Sequence, residues 1–139
     1  MGTWGPGNLE CDGVQDLIAE NSDELFSDII KLLSDPLSAE FDEIEYDYLF
    51  FKAEMILALA EKALISSSPE PSELKPLFEK YLIAWYEYYK DSGATEEQTQ
   101  NRKNVISNTF ANLLKVTEAR QGGSFFYRIN LITDKMDKY

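Results

Sequence analysis

Between Tyr48 and Ile65 nearly every residue is apolar, and the four exceptions, Lys52, Glu54, Glu61 and Lys62, are spread along the run. A helix that is apolar nearly all round has to be enclosed by other elements, so the run predicts the central helix of a bundle. Each of those charges is costly at the centre of a bilayer, which argues for a buried helix of a soluble fold and against a membrane span.

The rest of the chain supplies partners of the same kind. Asp12 to Glu20 predicts a short helix with Val14, Leu17 and Ile18 on one side. Asn21 with Glu24 has the spacing of a capping box, which predicts a second helix through Leu25, Phe26, Ile29, Ile30, Leu32 and Leu33, ended by Pro36. Asp42 with Glu45 repeats that spacing ahead of the apolar run, and Ser66 to Pro71 is a turn cluster. Leu74, Leu77, Phe78, Tyr81, Leu82 and Trp85 recur at three- and four-residue steps, with Gly93 where a C-terminal cap belongs. Thr95 with Gln98 opens a further helix to about Arg120, stopped by Gly122-Gly123. The tail, Ser124 to Lys138, is rich in aromatic and β-branched residues that suit a strand. It is read as a helix because a lone strand lacks a partner. The expectation is an all-α, single-domain bundle of about five or six helices over 1–139. Within it, 1–11 forms an ordered plug, 12–47 an acidic helical region and 48–139 a charge-neutral scaffold.

Charge sharpens this division. The 139 residues carry 25 acidic and 13 basic side chains, a net charge of -12. Residues 1–47 hold 13 of the carboxylates and a single cation, Lys31, so the remainder sums to zero. A negative surface is poorly suited to phosphate backbones, so direct nucleic-acid binding is not expected, nor is membrane binding. An acidic face instead attracts basic partners.

Residue types limit the chemistry as well. With no histidine, most zinc sites and every Ser-His or Cys-His dyad are excluded. The lone Cys11 lies between Glu10 and Asp12, whose charges disfavour a thiolate, and it has no second cysteine to pair with. A calcium loop started at Asp42 fails, because its third and fifth positions are Ile44 and Tyr46 and its sixth is Asp47. No catalytic residue, metal or cofactor is expected. The start of the chain lacks a basic segment followed by an apolar one, which points to the cytoplasm. What remains is a recognition patch at Glu40, Asp42, Glu43, Glu45, Tyr46 and Asp47, supported by Asp23, Glu24 and Asp28. Carboxylates there stand beside rigid rings able to supply anchoring area. On the helix from Leu74, Tyr81, Trp85 and Tyr88 share the face expected in the core, leaving Tyr86 and Tyr89 freer for the surface.

The start Thr3-Trp4-Gly5-Pro6-Gly7-Asn8-Leu9, followed by Asp12 and Asp16-Leu17, resembles a bacterial domain family of unknown function with the signature Trp-Gly-x-Gly-x-Phe-x-x-Asp. Trp4, Gly5, Gly7 and Asp12 match it, Leu9 stands where the family has Phe, and Gly13-Val14 replaces an alanine- or threonine-like helix start. An alanine-rich apolar helix after an acidic stretch, as in Ala53 to Ala60, is similar too. The resemblance covers roughly the first half of the chain and brings no catalytic residues. In physical terms the motif is a structural plug: Trp4 buries a ring, Gly5 and Gly7 permit unusual backbone, and Asp12 caps the next helix. Small acidic helical proteins of this kind also resemble the immunity proteins of contact-dependent growth inhibition and related toxin systems. That implies a non-enzymatic protein that neutralises a basic toxin domain, in many systems a nuclease. The alternatives are a DNA mimic or regulatory adaptor for another basic protein and, in a different class, a divalent-metal hydrolase built on clustered carboxylates.

Overall fold

The computed structural model describes residues 7–8, 11–34, 44–121, 127–130 and 135–138, with the backbone alone at 44–45, 120–121 and in the last two stretches. Four helices are present among them: α1 (Asp12–Ser34), α2 (Ile44–Glu61), α3 (Pro71–Tyr89) and α4 (Glu96–Gln121). The helical class is therefore as expected, with four helices in place of five or six.

One lost helix is explained at Asn21. The Asn21–Glu24 pair does not start a new helix, because α1 runs through it without a break. Its buried side is continuous across the supposed boundary, through Ile18, Ser22, Leu25, Phe26, Ile29 and Leu33. Breaking the helix there would give up that shared face, which outweighs a cap worth about 1 kcal/mol. The polar member of the face is satisfied in place: Ser22 Oγ donates to the Ile18 carbonyl at 2.7 Å and accepts from the Ser66 N–H at 3.3 Å. The segment after α2 is thereby tied to α1, a link reinforced by the Ser67 hydroxyl donating to Asp23.

The other helix predicted in the tail is corrected to a two-stranded antiparallel ribbon, β1 (Tyr127–Asn130) and β2 (Lys135–Lys138). Tyr127 stands opposite Lys138 and Asn130 opposite Lys135. Each strand is the other's partner, which removes the objection that a strand here would be alone. Strand β1 also approaches α2.

Local rules set the remaining helix ends. Helix α2 stops at Glu61, short of the expected Ile65, with Ala63 at φ +59°. The Leu64 N–H then donates to the Leu59 carbonyl at 2.8 Å and the Ala63 N–H to the Ala60 carbonyl at 3.2 Å, the paired bonds of a left-handed helix stop. Pro71 occupies the first turn of α3, where its missing N–H costs nothing. The Thr95–Gln98 box forms as read: the Thr95 N–H donates to Gln98 Oε1 at 2.9 Å, and the Gln98 N–H to Thr95 Oγ1 at 3.1 Å.

Helix α1 packs on α2 and α3, and α4 packs on the same two. Where α2, α3 and α4 meet, Phe110 stacks on Phe78, with centroids 4.3 Å apart and planes 2° from parallel. Tyr81 meets Phe110 edge-on at 84°. Leu49, Ala53, Ile56, Leu74, Ile106 and Leu113 are fully buried around them. Burial of the large side chains among them contributes about 1.5–3 kcal/mol each and holds α2, α3 and α4 together.

Candidate functional site: an acidic ridge beside an apolar stripe

Five carboxylates on α1, Asp12, Asp16, Glu20, Glu24 and Asp28, follow one another at four-residue steps. Neighbours at this spacing lie on adjacent turns, so the five form a ridge about 24 Å long that winds slowly round the helix. The first four are exposed and Asp28 is half-buried. Like charges at this spacing destabilise a helix by roughly 0.2–0.5 kcal/mol per pair. Past Asp12, whose charge the helix N-terminus favours, the arrangement is thus not one that helix stability alone favours. Asp16, Glu20 and Glu24 make no ion pair among the described residues, whereas Asp28 Oδ2 lies 2.9 Å from Lys52 Nζ of α2.

The patch read from the sequence is only partly in view. Asp23 and Glu24 are exposed on α1, and Asp47 is exposed on α2. Glu40, Asp42 and Glu43 lie outside the described residues, and Glu45 is placed in the first turn of α2 by its backbone alone. Tyr46 is a correction. It is 4% exposed, with its ring 5.5 Å from that of Tyr81, because it falls on the same side of α2 as Leu49, Ala53 and Ile56. Its ring packs the core and offers no anchoring area. Of the N-terminal motif, Trp4 and Gly5 lie outside the described residues and Gly7 is exposed. Asp12 stands inside the first turn of α1, one position past the cap, since the Cys11 carbonyl accepts the Gln15 N–H; its charge there still suits the helix dipole.

Two features escaped the sequence reading. The four-residue register of Asp16 and Glu20 with their neighbours was there to be counted, but it has meaning only once α1 is known to be one helix. The second is on α2, where Tyr48, Phe51 and Met55 are 52%, 64% and 37% exposed. A helix apolar all round reads as enclosed, yet four helices leave one side of α2 uncovered. At 100° per residue these three lie together on the outer side of α2, toward the Lys52 edge that meets Asp28, and Asp47 and Glu54 border them on the other edge.

The aromatic group on α3 also divides differently from its expected face. Tyr81 and Trp85 are buried, but Tyr89, not Tyr88, continues the packing, stacked on Trp85 at 4.8 Å. Tyr88 is exposed, as is Tyr86, which carries Lys103 over its ring at 5.4 Å. Between α3 and α4 lies a groove of about 460 Å³, lined mainly by Phe78, Leu82, Ile83, Phe110 and Leu114, with Lys75, Glu79 and Ser107 as its polar side chains. Among the described residues no three acidic or thiol side chains converge as a metal site would require, and no helix is long and apolar enough to cross a membrane. Compared with protein families, curated proteins and solved structures, the chain matches no family model, no curated protein and no solved structure.

Proposed function

We propose that this chain is an immunity protein that binds and neutralises a basic toxin domain, a nuclease above all, through the acidic surface of α1. The observation that supports this reading is the ridge Asp12–Asp16–Glu20–Glu24–Asp28, held on a rigid, core-anchored helix at a cost in like-charge repulsion. Such a surface steers a basic partner by long-range attraction and can occupy its phosphate-binding surface with carboxylates in place of phosphates. A DNA mimic or adaptor for another basic protein would use the same face and differs only in the partner's identity.

The test is co-expression with a basic C-terminal domain of a large secreted protein encoded beside this chain. The wild type is expected to restore growth. Reversing Asp16, Glu20 and Glu24 to Lys is expected to abolish rescue and to slow association at least about tenfold at low salt. Reversing Glu96 and Glu97 at the start of α4 should leave both unchanged. Equal effects at the two places sink the assignment to α1, and a metabolic gene neighbourhood counts against the toxin partner.

A further inference from the structure

On the reading that a basic partner approaches α1, we propose that the exposed stripe Tyr48–Phe51–Met55 of α2 is the seat for a basic amphipathic helix of that partner. The stripe rises along seven residues, about 10.5 Å or two helical turns. That is the reach of apolar anchors at i, i+3, i+4 and i+7 on a docked helix. Carboxylates border it on both edges: Asp28 of α1, paired with Lys52, on one, and Asp47 and Glu54 of α2 itself on the other. Among the described side chains the cations nearby are Lys52, already paired with Asp28, Lys31 toward the Tyr48 end, and Lys62, seven residues beyond Met55. A ligand that fills this surface therefore needs an apolar face with positive charge along the edge that meets Asp47 and Glu54, which an amphipathic helix with Lys or Arg beside its apolar face supplies.

Charge also decides between occupants. A second copy would set Asp47 and Glu54 against themselves, between chains of net charge -12 each. An anionic bilayer meets the same repulsion. The chain's own ribbon does not cover the stripe, which keeps its exposure with β1 beside α2.

Two fluorescent peptides of about 18 residues, five helical turns, test this against the full chain. One carries Leu and Lys patterned at the helical period, and the other has the same composition scrambled so that no apolar face forms. The patterned peptide is expected to bind at least about tenfold more tightly, with the preference lost in the double variant Phe51→Ser/Met55→Ser. Both positions are exposed, so the variant should unfold at the wild-type temperature, and a shared loss of stability would be caught there. Reversing Asp16 and Glu20 to Lys should weaken both peptides alike and keep the preference. Equal, salt-sensitive binding of the two peptides overturns the stripe while sparing the acidic-face reading. Binding of neither overturns both. A wild-type dimer that dissociates in the double variant overturns it by assigning the stripe to a second copy.

Discussion

Lys52 of α2, next to the exposed Phe51, reaches Asp28 at the end of the carboxylate ridge of α1, with its Nζ 2.9 Å from Oδ2. Both side chains are partly solvated, so the pair is worth at most about 1 kcal/mol. Its larger effect is on the field, because Lys52 masks one carboxylate of the acidic ridge. Lys52→Met keeps the apolar stem and removes the charge. Association with a basic partner, followed by stopped flow, should then accelerate severalfold at low ionic strength and much less at physiological salt. A rate independent of this substitution at low salt would place the docking face elsewhere.

Ala63 is held at φ +59°, in the left-handed region that a side chain disfavours. The position closes α2 and turns the chain toward Ile65, which is buried at 4% exposure. Ala63→Gly removes the clash between Cβ and backbone but makes the unfolded chain more flexible, for a net gain of about 1 kcal/mol. The urea midpoint should rise with its slope unchanged, and the thermal midpoint by roughly 3 °C. An unchanged or lower midpoint would mean that the left-handed turn at Ala63 is not a feature of the folded chain in solution.

The same residue shows why the helix end was hard to read. Helix stops are recognised by Gly or Pro, and the stretch Lys62-Ala63-Leu64-Ile65 has neither, so the apolar run carried the expected helix on to Ile65. Asn21 failed in the opposite sense: a local capping signal was present, but the buried face from Ile18 to Leu33 overrode it. Thr95–Gln98 was legible because there the local signal and the tertiary need agree, with Gly93 at φ +89° turning the chain just ahead of it. On the site side, the sign and rough address of the charge were readable from composition by segment. The fate of the rings was not. Tyr46 and Tyr48 look alike in sequence, and only the phase of α2 against Tyr81 sends one into the core and the other to the surface.

Tyr81 is 1% exposed, between Tyr46, Phe50 and Phe110. Burial first, and then the neighbouring Tyr46, hold its hydroxyl well above its ordinary value near 10, while Arg102 pulls weakly the other way. Below pH 10 the folded and unfolded chains both keep this proton, and the stability associated with it is fully present. Above pH 10 the unfolded chain ionises first, so folding loses about 1.4 kcal/mol per pH unit until the raised folded value is reached. Tyr81→Phe removes the proton from both states. Whatever the substitution costs at pH 9, the variant should gain about 1.4 kcal/mol on the wild type between pH 9 and pH 11, read from urea unfolding at each pH. Parallel stability curves for the two proteins would show that the Tyr81 hydroxyl ionises in the folded chain as readily as in water, and would contradict its enclosure at the junction of α2, α3 and α4.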